Sequence, residues 1–339
     1  MARSFKRRLF LRTGLEALGG LLIGGPFLLE GCASGPVAVP RSYQPKYKTL
    51  AHEVLDIERE HNIGVEGYFL LDKILGSARD EPLTASIEDL SPRERALLAL
   101  DAISNLLASF GFEYDNVNLL SLGLSRRRVN CDGYSVLYLA VGEILGLPIK
   151  MVRAPQHTFV RWHLDEKEYI NWETTIGQER DDAYYISKHR IAKRTKRRSA
   201  LRSLGVTENR DEILANAYVN NGVEWLRKCR LKIAINRFNK AIGQDPNYET
   251  PYYNIGLTYY HMGEMINAIN WCKQAVYINP NHLKSHAVLQ SAYNIVGDRK
   301  SSKKHLRKVM RLNSSYYGEQ AIETRRKKRH FCKRGNPFS

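Results

Sequence analysis

Cys131 stands where a cysteine can do chemistry. It follows Val129-Asn130 and precedes Asp132-Gly133-Tyr134, and apolar residues then recur at helical period from Ser135 to Leu145 until Gly146-Leu147-Pro148 stops the run. The cysteine therefore opens a helix, where unpaired backbone N–H groups and the helix dipole favour the thiolate, the reactive form. Downstream, Ile149 to Ala154 and His157 to Trp162 read as adjacent strands rich in β-branched residues, with His157 opening the second. Glu166 and Lys167 make a turn, and Tyr169-Ile170-Asn171-Trp172-Glu173 reads as a third strand. A lone buried cysteine is more often a small packing residue than a nucleophile. A thiol at a helix start, an imidazole at a strand start and a carboxylate on the next strand instead suit nucleophilic chemistry.

Other elements must hold those three edges in place. Ser91-Pro92-Arg93-Glu94 is a helix start with serine as cap and proline at the first helical position, and the spacing from Ala96 to Leu107 predicts a helix of about 18 residues ending near Phe110-Gly111. The stretch from there to Arg126 reads as irregular. His163, beside Trp162, reads as a strand-end surface residue.

The order cysteine, histidine, acid resembles the transglutaminase-like, papain-related superfamily. Cys131-Asp132-Gly133 with its helix and Gly146-Leu147-Pro148-Ile149 is similar to that family's nucleophile segment, and His157-Thr158-Phe159-Val160-Arg161 to its histidine strand. Trp172-Glu173-Thr174-Thr175 matches the segment carrying the third catalytic residue, with Glu173 where the family has Asp; Asn171 is the fallback for that role. The resemblance implies acyl transfer: Cys131 as nucleophile, His157 holding its thiolate and protonating the leaving amine, Glu173 orienting the ring, and the Cys131 N–H as an oxyanion donor. It implies no cofactor.

The amino terminus reads as an export signal over residues 1–31. Arg3, Lys6, Arg7, Arg8 and Arg12 precede an apolar, glycine-rich stretch from Leu15 to Leu29 that is short for a stable membrane span of about 20 residues. Arg7-Arg8-Leu9-Phe10-Leu11-Arg12 resembles a twin-arginine signal, and Leu29-Glu30-Gly31-Cys32 resembles a bacterial lipobox with Glu30 in place of the usual small residue. Cys32 is then the lipidation site, residues 32–49 a proline- and glycine-containing tether, and the mature protein a lipoprotein of the bacterial envelope facing the periplasm. No cysteine has metal-site spacing.

A repeat occupies the carboxy-terminal third. Tyr218 recurs as Tyr252, Gly222 as Gly256, Ala234 as Ala268, Ala241 as Ala275 and Pro246 as Pro280, a step of 34 residues (218 to 252) that is the tetratricopeptide period. Trp225, Tyr259 and Tyr293 extend it to a third, degraded unit with Gln290 for glycine and Ser302 for alanine. Such arrays hold peptides or proteins on a concave face lined by each unit's first helix, and Asn220, Asn221, Tyr253 and Asn254 are the candidates for it. Cys229 and Cys272 occupy different repeat positions and are not expected to bridge.

The fold class is therefore α+β: a papain/transglutaminase-like domain over 50–185, then a basic connecting helix over 186–212, an all-α tetratricopeptide-type array over 213–316 and a basic tail over 317–339. The chain of 339 residues, 43% hydrophobic, is too rich in core-forming residues for disorder despite a formal charge of +17. The basic segments lack interleaved aromatic residues, and no nucleic-acid motif occurs elsewhere, so a nucleic-acid partner is not expected. The implied whole is an exported, lipid-anchored cysteine acyl-transfer enzyme whose repeats recruit a protein substrate. The alternative is a non-catalytic envelope scaffold or binding protein.

Overall fold

The computed structural model describes residues 43–59, 65–80, 90–154, 157–188, 205–207 and 209–316. The segment expected to be an export signal, Cys32, most of the expected tether, the basic run from His189 and the carboxy-terminal tail lie outside the described residues. Three helices come first: α1 (Leu50–Glu58), α2 (Glu66–Asp80) and α3 (Pro92–Ser109). The cap of α3 forms as its sequence requires, with Ser91 Oγ accepting from the Glu94 N–H at 3.3 Å and Glu94 Oε2 accepting from the Ser91 N–H at 3.2 Å.

The stretch expected to be irregular is partly ordered. Two short parallel strands, β1 (Glu113–Tyr114) and β2 (Arg128–Val129), flank α4 (Leu120–Arg126). The α4 amino terminus has no local cap. Glu58, from the end of α1, supplies one from a distance by accepting from the Leu120 N–H at 3.0 Å, the Ser121 N–H at 2.7 Å and Ser121 Oγ at 2.6 Å. Burial pushes this carboxyl up to about 7, although the three hydrogen bonds pull it down.

α5 (Cys131–Leu145) is the central helix, apolar around most of its circumference and buried continuously from Gly133 to Gly142. It ends at Gly146, whose φ of +66° is the left-handed conformation that glycine reaches without strain. Strands β3 (Ile149–Ala154), β4 (His157–His163), β5 (Tyr169–Glu173) and β6 (Gln178–Glu179) follow, then α6 (Asp182–Lys188) and β7 (Gly205–Thr207). They form one antiparallel sheet in the order β6-β5-β4-β3-β7. The connecting helix expected over 186–212 is thereby corrected at residues 205–207, which add an edge strand to the sheet.

The carboxy-terminal part is three helix pairs: α7 (Arg210–Arg227) with α8 (Leu231–Gln244), α9 (Glu249–His261) with α10 (Met265–Ile278), and α11 (Leu283–Ile295) with α12 (Arg299–Tyr316). The repeated residues sit at the crossings. A Cβ at Gly222 would fall 2.5 Å from Phe238 Cε1, and one at Gly256 2.4 Å from Cys272 Sγ, so each first helix approaches its partner only because that position is glycine. In the third pair Gln290 takes the position, and its carbonyl accepts from Ser302 Oγ at 3.0 Å.

The array is not set apart from the sheet. Ile213, Leu214 and Ala217 of α7 belong to the same buried cluster as Leu71, Leu100, Leu137, Val160 and Trp172. None of the described helices is long and apolar enough to cross a membrane.

Candidate functional site

The site is assembled from a helix start and two strand ends. Asn130 is the cap of α5, its Oδ1 accepting from the Gly133 N–H at 2.9 Å, so its amide is directed to the helix and Cys131 follows as the first helical residue. His157 opens β4, and its side chain hydrogen-bonds Cys131 on one side and Glu173 on the other. The second contact runs from Nε2 to Glu173 Oε2 at 2.7 Å, which leaves Nδ1 for the thiol. Glu173, at the end of β5, is fully buried, and its other oxygen accepts from Thr175 Oγ1 at 2.6 Å. Tyr185 of α6 lies nearly parallel to the imidazole, ring centres 6.2 Å apart, and stacks on Phe159 at 3.7 Å.

Burial alone would lower the basicity of His157 and is the largest single influence on it, but the hydrogen bonds and charges of Cys131 and Glu173 together raise the ring to about 9. Burial likewise acts to raise Glu173, yet its bonds to His157 and Thr175 hold the carboxyl below its usual range. Imidazolium and carboxylate are therefore an ion pair at neutral pH. The ring's contribution to stability is complete below about 6.5, its ordinary value, and is lost as pH rises through about 9; that of the carboxylate is lost on acidification. Glu173→Gln should accordingly destabilise the chain by about 1–3 kcal/mol at pH 7. The gap between wild type and variant in thermal unfolding should narrow at pH 10, and a gap independent of pH would contradict the ion pair.

The fallback, Asn171, does not reach the histidine. It sits on the same face of β5 two residues earlier, where Oδ1 accepts from Arg161 Nε at 2.7 Å and Nδ2 donates to Asp182 Oδ1 at 2.7 Å. Its role is to tie β4 and β5 to α6. His163, expected at the surface, is half-buried at the end of β4, its ring 6.4 Å from that of Tyr169.

Two residues next to the site were not singled out by sequence. Asp132 Oδ1 accepts from Thr158 Oγ1 at 2.8 Å, pinning the start of α5 to β4, and Asp132 Oδ2 accepts from Asn216 Nδ2 of α7 at 3.2 Å. Asn216 in turn accepts from Tyr248 OH at 3.2 Å. The residue beside Cys131 is thus held by the first repeat. A cavity of about 30 Å³, room for a water-sized molecule, lies between α7 and the start of α5 and is lined by Glu58, Asn118, Asp132, Asn216 and Asn220.

The residues expected to line an open concave face are largely taken up internally. Asn221 is buried and donates from Nδ2 to the Ile57 carbonyl at 2.6 Å, which corrects its expected role in peptide binding: the face that carries it packs on α1. Asn220 borders the small cavity. Asn254 is buried in α9, and Tyr253 is partly buried against α10 and α11, edge-on to His282 at 5.2 Å. Among the described residues Cys131, Cys229 and Cys272 are free thiols, half-buried, exposed and buried respectively. No group of three or more His, Cys, Asp or Glu side chains among the described residues could hold a metal ion.

Comparison with known proteins bears on the array. A tetratricopeptide repeat model matches residues 251–282, and a second TPR repeat model matches residues 230–263. No curated protein matches the chain. Among solved structures, the second TPR of Spaghetti (RPAP3) bound to the HSP90 peptide SRMEEVD is 19% identical, covering 29% of this chain and 91% of its own with a TM-score of 0.28. MamA is 24% identical over 34% of this chain and 74% of its own, TM-score 0.29. The Sgt2 TPR domain from Aspergillus fumigatus is 18% identical over 37% and 86%, TM-score 0.29. The chain carries tetratricopeptide repeats within residues 230–282.

Proposed function

We propose that the chain is a cysteine acyl-transfer enzyme, exported and lipid-anchored through Cys32, in which the repeats bring a protein substrate to Cys131. The observation that carries the chemistry is the relay from Cys131 through His157 to the buried Glu173, with the imidazole still protonated at neutral pH. The thiolate attacks the carbonyl carbon of an amide while the Cys131 N–H, at the start of α5, faces the developing oxyanion. The C–N bond breaks as His157 gives its proton to the leaving amine, and a thioester remains on Sγ. Neutral His157 then takes a proton from water or from a second amine as that group attacks the thioester, which expels the thiolate and restores the imidazolium beside it. Glu173 keeps the ring oriented through both halves.

Protein binding by the array follows from the repeats. The link from Tyr248 through Asn216 to Asp132 joins the first unit to the residue beside Cys131, which supports a substrate held by the repeats being delivered to that thiol.

Competitive alkylation tests the reading without knowledge of the substrate. With limiting iodoacetamide at pH 6, Cys131 should be modified before Cys229 although Cys229 is the more exposed, because Cys131 lies at the start of α5 beside the His157 ring while Cys229 sits in the turn between α7 and α8. Modification in the order of exposure, Cys229 first, would favour the scaffold in which this domain only binds.

A further inference from the structure

The last helix presents an unusual outer face. α12 carries Arg299, Lys300, Lys303, Lys304, Arg307 and Arg311 and not one carboxylate. Its rotation is fixed from inside: Ser302 is buried against Gln290, and His305 stacks on Tyr293 with ring centres 5.6 Å apart while its Nδ1 lies 2.8 Å from His286 Nδ1. The opposite side therefore faces outward, with Lys303, Lys304 and Arg307 exposed and without a carboxylate partner among the described residues. Leu306 and Met310, one helical turn apart, are 42% and 48% exposed beside them, and Ile295 and Val296 at the end of α11 are also exposed.

We infer that this face docks on an anionic phospholipid surface. A row of cations adjoining exposed leucine and methionine on one helix is the composition that lies in a membrane interface, apolar side chains entering the acyl boundary while lysine and arginine meet the headgroups. A nucleic acid would use the cations and leave Leu306 and Met310 unsatisfied, and among the α12 side chains described none is an exposed aromatic ring to stack on bases. A second copy of the chain or the carboxy-terminal tail, rich in Arg and Lys from Arg325 to Arg334, would bring like charges together. The inference is independent of the chemistry at Cys131, and it gives the array a second contact with the surface to which Cys32 is proposed to tether it.

The test uses the full chain carrying Cys32→Ser, so that no acyl chain can mask a weaker contact. Flotation with vesicles of phosphatidylcholine alone is compared with vesicles containing about one third phosphatidylglycerol. Binding should require the anionic lipid and fall with salt. Each cation brought to the surface is worth about fivefold in partition, so Lys303→Glu with Arg307→Glu should lower binding at least ~25-fold. Leu306→Ser with Met310→Ser should also weaken it, and unchanged thermal unfolding of both variants shows that the exposed changes leave the fold intact. Full binding by the charge variant would overturn the proposal by assigning the attraction to another basic segment. So would an apolar variant that binds like wild type while the chain holds single-stranded RNA, lost in the charge variant, because the face would then be a nucleic-acid surface.

Discussion

Gly256→Leu should open the second and third repeats while leaving the central core folded. A Cβ at this position would stand 2.4 Å from Cys272 Sγ and 3.1 Å from both the Ala268 carbonyl oxygen and the Cys272 backbone nitrogen. The sulfur could turn away, but the backbone atoms of α10 can move only if the two helices separate. Overpacking of this kind costs about 1–3 kcal/mol, more for a branched side chain. Each repeat is stabilised mainly by its neighbours, so the loss spreads along the array. Cys272 reports it directly: burial pushes its thiol up to about 12, and in the native array it should resist iodoacetamide. Opening should speed its alkylation by about 10- to 100-fold, a factor of ten for each 1.4 kcal/mol. Cys131 should keep its wild-type rate, because α7, the one repeat helix that shares the central buried cluster, does not contain the substitution. Parallel changes at Cys131 and Cys272 would mean that core and repeats unfold as one body, and an unchanged Cys272 would refute the packing argument.

How much of this was legible depends on where each signal is stored. The start of α5 could be read because Cys131-Asp132-Gly133 opens a run of apolar residues at helical period that Gly146 ends, and His157 and Glu173 lie at the ends of strands with recognisable composition. The glycine and alanine of the first two repeats could be read because the same crossing recurs at a fixed step. α4 could not, since its cap is Glu58, which is remote in sequence, and seven residues hold too few apolar positions to set a period. β7 is three residues long beyond a run of cations and has no pattern of its own. Asn221 was misassigned for a different reason. Repeat position alone places it on the first helix of a unit, whereas Ile213, Leu214 and Ala217 on that helix look like ordinary repeat residues and reveal only in three dimensions that the first unit is packed against α1 and the sheet. The link from Asp132 to Asn216 was hidden in the same way, because nothing in the local sequence of either residue names the other.

The larger consequence of that link is for regulation of the proposed chemistry. Asp132 follows Cys131 in α5 and is held at once by Thr158 of β4 and Asn216 of the first repeat. A ligand that shifts α7 would therefore act on the start of α5, and the first repeat is packed into the buried cluster of the sheet domain as much as into the array.

The acyl-enzyme itself is the most direct test. Cys131 should attack an activated ester such as p-nitrophenyl acetate, releasing nitrophenolate and keeping the acetyl group as a thioester. The account predicts a rapid burst near one equivalent, with the acetyl mass located on Cys131 by mass spectrometry and not on the more exposed Cys229. His157→Ala should slow the burst by about 100-fold or more, because the imidazole no longer holds the thiolate. Wild-type activity should weaken above about pH 9, where the ring gives up its proton. Acetyl groups distributed over Cys229 and Cys131 in order of exposure, at a rate that His157→Ala leaves unchanged, would contradict the central claim and leave a protein that binds without catalysing.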